Sequence, residues 1–195
     1  MEDEHHWYDR VSGGKLRQGD LFCDQTIYWL PEDLQLQTDG HDGAQTAALH
    51  ASRGCWIVLN PSCDLDQQRC SQVVVAQVLV ASRENLRVKT DKELAQRLEC
   101  LRRGHYPARF LLAAYDASLP LSFVDFVSSR TIPRRWLETV TETHFRLKAP
   151  FREQFGNWVG SCFSRVGPED HLLIPPFVDK LHDAHRLNAT NVDER

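Results

Sequence analysis

Gly54-Cys55-Trp56-Ile57-Val58-Leu59-Asn60-Pro61-Ser62-Cys63-Asp64-Leu65 is the stretch on which the fold turns. An unbroken apolar run stops abruptly at a polar turn. A run of about four to eight apolar residues between turn formers reads as a strand buried on both faces. The turn that ends it, with Asn60, Ser62, Cys63 and Asp64, is a place for a binding or reactive site. Gln72–Val80, rich in β-branched residues, reads as a second such strand. Trp56–Leu59 and Val73–Val80 are therefore expected side by side in a curled, mostly antiparallel framework.

Outward from this pair, shorter segments fall into place. Gln18-Gly19-Asp20-Leu21-Phe22-Cys23 begins a strand after a turn, and Ile27-Tyr28-Trp29-Leu30 is a separate short run stopped by Pro31. Residues 1–14 read as a loose arm, with Trp7 and Tyr8 as anchors. Residues 31–50, rich in Gln, Asp, Gly, Thr and His, read as a long mobile loop. Thr90 and Glu93 form a capping-box pattern that starts a helix over 90–104, with Leu94, Leu98 and Leu101 on one face and Gly104 at its end. Residues 109–116 return to strand character, and Ser122–Val127 alternates with period two. Pro133-Arg134-Arg135-Trp136-Leu137 suits a short helix with Pro in its first turn.

Residues 150–167 give the strongest helical pattern. Phe151, Phe155, Trp158, Val159, Cys162, Phe163 and Val166 make one broad apolar stripe that must dock on the sheet or on a partner. Gly156 and Gly160 each cost roughly 1 kcal/mol against Ala, so a close backbone approach is expected at both. Residues 169–195 read as a polar tail. The chain is thus α+β and mainly β: one domain over 15–168, a small barrel of strongly bent antiparallel strands with an inserted helix and a C-terminal amphipathic helix.

At 195 residues, 42% apolar and 26% charged, the composition is that of a globular protein. No apolar run reaches the roughly 18–20 residues of a membrane helix. The acidic start Met1-Glu2-Asp3-Glu4-His5-His6 is unlike a signal peptide, so a cytoplasmic chain with six reduced thiols is expected. The net charge of −4 hides an asymmetry: residues 1–50 hold ten acids and three bases, residues 102–152 nine bases and four acids. The two segments either attract each other, present a face to nucleic acid or an acidic protein, or are simply solvated.

Metal and cofactor sites are not expected. Cys63 and Cys70 have no second closely spaced pair, His182 and His185 form a lone H-x-x-H, and Asp64 with Asp66 is a bare D-x-D. Cys63 sits beside Asp64, and a neighbouring carboxylate disfavours a thiolate, so a structural turn in which Asp64 accepts backbone amides is preferred to a nucleophile. Metal-free RNA cleavage needs a base near the ribose hydroxyl and a cation on the phosphate. Arg53 is the candidate cation, and Asp64 or His105 the candidate base. For binding alone, Arg102, Arg103, Tyr106 and Arg109 combine cations with a ring, and Arg134 and Arg135 add a second cationic pair. A solvated helix end explains Arg102 and Arg103 equally well.

The order of elements resembles the small SH3-like barrels of the MazF/PemK/Kid toxin family. There a Gly-Asp opens the first strand, as Gly19-Asp20-Leu21-Phe22 does here. An Arg-led strand reading R-P-V-L-V-I-S is similar to Arg53-Gly54-Cys55-Trp56-Ile57-Val58-Leu59. The next family strand, ending in a Pro-x-Thr-Ser segment, is matched in place by Val73–Leu79. A late strand and short helix resemble Phe123–Phe126 followed by Thr131–Leu137. The likeness covers residues 15–140, with the helix at 90–104 inserted. Arg53 is followed by Gly where the family has Pro, and the family Thr has no counterpart among Gln77, Val78 and Leu79. The resemblance implies an SH3-like barrel in which half of the RNA-cleaving pair is missing. It implies a non-catalytic binding module of a prokaryotic toxin–antitoxin or phage-defence system. The expected partner is a protein encoded nearby, or RNA or another nucleic acid, with no membrane contact. The alternative is a metal-independent endoribonuclease that cleaves single-stranded RNA with Arg53, Asp64 and His105.

Overall fold

In the computed structural model of the protein, the described residues are 7–29, 37–38, 45–46, 49–67, 70–139 and 143–164. The chain divides into two compact units, Met1–Cys162 and Phe163–Arg195, and the strands among the described residues lie in the first. The elements are β1 (Tyr8–Ser12), β2 (Asp20–Trp29), β3 (Gln37–Thr38), β4 (Gln45–Thr46), β5 (His50–Val58), α1 (Ser62–Asp66), β6 (Gln72–Val80), α2 (Asp91–Arg102), β7 (Arg109–Leu112), β8 (Ser122–Pro133), α3 (Arg134–Thr139), β9 (Thr143–Leu147) and α4 (Phe151–Ser164). Seven strands form one sheet in the order β1-β9-β2-β5-β6-β8-β7, and β3 pairs with β4 apart from it. Every pairing is antiparallel. No helix among the described residues is long and apolar enough to cross a membrane.

The expected central pair is present, with Cys55 opposite Val78 and Val58 opposite Val75. Side chains alternate across a strand, and β5 shows why its apolar run is unbroken. Ile57, with Leu59 just beyond the strand, faces a first core with Leu21, Val78, Val124 and Leu147. Trp56 and Val58 face a second core with Phe22, Ile27, Val73, Val75 and Ile132. Each face of the sheet thus has its own core, and each fully buried side chain of this size contributes about 1.5–3 kcal/mol.

Several expectations change. The two short runs at 18–23 and 27–30 are one strand, β2, interrupted by a bulge between Phe22 and Gln25. Asp24 in the bulge takes φ 60°, the left-handed region that Asp tolerates better than most residues. Beside the bulge Cys23 meets Cys55 across the two strands, and the two form a disulfide, so the expectation of six reduced thiols is corrected. Cys63, Cys70 and Cys100 are outside any disulfide. The arm expected over 1–14 contains β1: Tyr8 is buried and its hydroxyl donates to Ala113 O at 2.8 Å. β7 stops at Leu112 because the chain turns at Asp116, whose Oδ1 accepts from Ser118 N (2.7 Å) and Leu119 N (3.3 Å). β8 runs on to Pro133, well past Val127. β9 was not expected at all. The loop expected over 31–50 falls largely outside the described residues; within it, Gln37–Thr38 pairs with Gln45–Thr46, and His50 already belongs to β5. The tail over 169–195 and the last residues of the expected helix also lie outside them.

The helices start and stop for local reasons. Thr90 Oγ1 accepts from Glu93 N at 3.2 Å, and the Glu93 carboxylate accepts from Lys89 N at 2.8 Å, so the capping pair holds the first turn of α2. Gly104 ends it at φ 76°, and a Cβ there would sit 2.5 Å from the Trp158 ring of α4. α4 docks on the first core through Phe155 and Val159. Gly156 has the expected close neighbour, since a Cβ would lie 2.8 Å from Gln18 Oε1. Gly160 does not, because nothing lies within 4 Å.

The sheet curls around the second core without closing. Residues 25–29 of β2 pair only with β5, and residues 130–133 of β8 only with β6. Between these unpaired edges lies a hollow of about 120 Å³ lined by Ile27, Tyr28, Ile132, Pro133 and Trp136.

Candidate functional site: a cationic cleft beside an aromatic seam

The strand ends that meet at the start of α3 create a polar cleft. Gln72 opens β6 opposite Pro133, the last residue of β8. Proline has no N–H to continue the ladder. Arg134 N donates instead to Ser71 O at 3.0 Å, and the chain turns into α3. The cleft, about 600 Å³, is lined by Cys70, Ser71, Gln72, Pro133, Arg134, Arg135 and Glu138. Arg134 is braced: Nη1 donates to Leu65 O at 2.7 Å and Nε to Glu138 Oε1 at 2.7 Å. Arg135 is exposed and, among the described residues, makes no ion pair. Cys70 Sγ donates to Gln72 O at 2.5 Å. Pro133 also lines the aromatic hollow, so the cleft and the seam adjoin. Tyr28 is 58% exposed there, while Trp136 and Trp29 pack on the second core. Arg130 lies over the Trp29 ring at 5.0 Å.

The turn after β5 is built into this corner as a brace. Asn60 Oδ1 accepts from Val74 N at 2.6 Å, and its Nδ2 lies 3.8 Å from Cys70 Sγ. Ser62 Oγ accepts from Gln18 N at 3.1 Å. Cys63 is exposed and its thiol points to Asp64 Oδ1 at 3.6 Å. The backbone amide that stabilises the turn is therefore accepted by Asn60, where Asp64 was expected to do so.

The remaining expected residues are dispersed. Arg53 sits in the first half of β5, opposite Thr26, and its guanidinium is held by Asp24 through two bonds of 2.6 and 2.7 Å. Those hydrogen bonds, then the charge, keep the Asp24 carboxyl below its usual range. Asp64 lies past the other end of β5, in α1, and exposed His105 follows α2. The three do not form one site. Arg102 and Arg103 both bond Glu99, at 2.7 and 2.5 Å, which holds its carboxyl down at about 2. Arg97 donates to the Tyr106 hydroxyl and covers its ring, and Arg109 covers Phe123 at 5.1 Å. Arg109 is opposite Asp125 near one end of β8, whereas Arg134 follows its other end, roughly 30 Å along the strand at strand rise. Of the expected cations, Arg134 and Arg135 share one cleft with Ser71, Gln72 and Glu138, and Arg102 lines a separate hollow.

Sequence reasoning missed a buried ionic cluster. Asp20 is fully buried. It receives Arg146 through bonds of 2.6 and 2.8 Å and Arg17 N at 2.8 Å, with His144 Nε2 at 3.3 Å. Burial pushes the Asp20 carboxyl up, but Arg146, His144 and the Arg17 amide together outweigh it and hold the group below its usual range. The acidic front and basic middle do meet here, and again at Asp9 and Lys148, 3.8 Å apart. Tyr28 and Trp136 were also missed as neighbours; only strand register brings them to one seam. Chemically, the α3 corner offers the Arg135 guanidinium, unpaired among the described residues, beside aromatic faces, which is equipment for holding an anion beside a planar group. Comparison of the chain with protein-family models, with curated proteins and with solved structures finds no match.

Proposed function

We propose that this protein is a non-catalytic module that binds single-stranded nucleic acid at the α3 corner, on a divergent SH3-like barrel left unsealed between β2 and β8. The observation that carries the reading is the adjacency of the Arg134–Arg135 cleft and the Tyr28–Trp136 hollow, joined at Pro133. Phosphates need a positive groove and bases need π faces, and single strands are held by that combination without sequence readout. Arg135 supplies the uncommitted charge, and Tyr28 an exposed ring. Membership of a prokaryotic conflict system rests on the sequence resemblance alone. The endoribonuclease reading is disfavoured, since Arg53 is occupied by Asp24 and separated from Asp64 by the second half of β5 and the turn after it.

The test is fluorescence anisotropy with a single-stranded RNA oligonucleotide over a range of salt. Tyr28→Ala weakens binding by about 1–3 kcal/mol. Arg135→Ala weakens it and reduces the salt slope by about one. Affinity unchanged in both variants overturns the reading. RNA cleavage lost in Arg53→Ala would establish the nuclease in its place.

A further inference from the structure

A second hollow lies apart from the α3 corner, between α4, the end of α2 and β7. Its volume of about 530 Å³ is within the range of small-molecule sites, about 300–1,000 Å³. Apolar groups, among them Leu101, Phe110 and Leu111, make most of its surface. Two indoles at its walls are fixed in place. Trp158 Nε1 donates to Pro107 O at 3.0 Å, its ring rests where a Gly104 Cβ would be, and it meets Phe110 edge-on at 5.7 Å. Trp7 stacks on Phe151 at 4.1 Å. Walls held this way keep the hollow from collapsing.

The polar part of the lining is ordered too. Gln154, Asn157 and Ser161 follow at helical spacing, so one face of α4 brings a polar stripe to an otherwise apolar groove. At the rim stands Arg102. Arg102 and Arg103 share the single carboxylate of Glu99, which leaves one positive charge over at that edge. We propose that this groove binds a small aromatic carboxylate or sulfonate, with its ring system between the indoles and the apolar floor and its anionic group at Arg102. The proposal is independent of the nucleic-acid reading, because none of its residues belongs to the α3 cleft or the seam.

The full chain is titrated with anilinonaphthalene sulfonate, followed by the probe's own emission. Saturable binding at one site is expected. Asn157→Trp, which fills the groove from an exposed helix position, lowers the affinity about tenfold or more while the melting temperature stays put. Gln154→Trp, from the same stripe, is the second filling variant should the first fail to fold. Arg102→Gln lowers affinity for the sulfonate about tenfold, as loss of a charged hydrogen-bond partner does, and leaves the uncharged phenylnaphthylamine unaffected. Sulfonate affinity that survives both filling variants overturns the site. Equal loss of the charged and uncharged probes in Arg102→Gln overturns the anion contact.

Discussion

The two faces of the sheet are closed in different ways. On the first, α4 lies across the strands and Phe155 meets Phe110 edge-on at 5.3 Å, with Phe126 at 6.0 Å. That face is sealed by apolar contact, and the hollow left at its margin is apolar. On the second, the sheet curls on itself, and among the described residues Leu16 and the short helices α1 and α3 help to cover it. Polar bonds complete the seal: Arg134 to Leu65 O, Asn60 to Val74 N, and the Asp20–His144–Arg146 cluster, whose His144 ring lies 4.8 Å from Phe22. A face closed by a long helix hides its backbone. A face closed by curling leaves strand ends and edges exposed, so charges gather there. The polar candidate site is found on the second face for that reason.

Substitutions at four positions sharpen or break this contrast. Phe155→Ala removes the ring at the centre of the helix-sealed face and costs about 3–5 kcal/mol in urea unfolding, with no dependence on acid. Asp20→Ala strands Arg146 and costs a similar amount, about 3–5 kcal/mol. The pH response separates the two faces. The folded Asp20 carboxyl lies below its unfolded value, near 3.9. Its contribution is complete above that pH and is lost as pH falls toward the folded value. Wild type and Phe155→Ala therefore lose stability together in acid, while Asp20→Asn shows a flatter profile below about pH 4. Equal acid slopes for wild type and Asp20→Asn would remove the ionic seal from the account. Arg134→Ala leaves the buried Leu65 carbonyl without its donor and lowers stability by about 1–3 kcal/mol. The smallest effect belongs to Arg53→Ala, a change in an exposed pair. Its melting temperature and RNA affinity match wild type, and a large shift in either would return Arg53 to the site.

Much of the framework was legible in the sequence. Trp56–Leu59 and Val73–Val80 announce themselves because burial on both faces permits no polar interruption. α2 is legible from Thr90 and Glu93, and α4 from a stripe that recurs every three to four residues. What was not legible depends on register between distant segments. Asp20 and Arg146 are 126 positions apart, and only the antiparallel ladder sets one opposite the other. β9 escaped notice because polar residues break its apolar pattern: His144 and Arg146 serve the ionic cluster, while Phe145 and Leu147 join the first core. The same limit applies to the site. Arg134 and Arg135 stand next to a proline that stops a strand, a local signal. Arg102 and Arg103 carry the same chemistry in sequence, yet Glu99 on the preceding turn holds both. Tyr28 and Trp136 give no sequence hint of proximity, since a bulge and a curl bring them together.

The place of β9 in the sheet governs the order in which the chain can assemble. β2, β5, β6 and β8 can pair as soon as residues 20–133 have left the ribosome. β1, synthesised before all of them, pairs with β9, which among the described strands emerges last. Until then Tyr8 has no Phe145 to rest on, and Asp20 has no counter-charge. Contacts of such long sequence separation form slowly, so the N-terminal strand stays without its β9 partner until residues 143–147 have emerged.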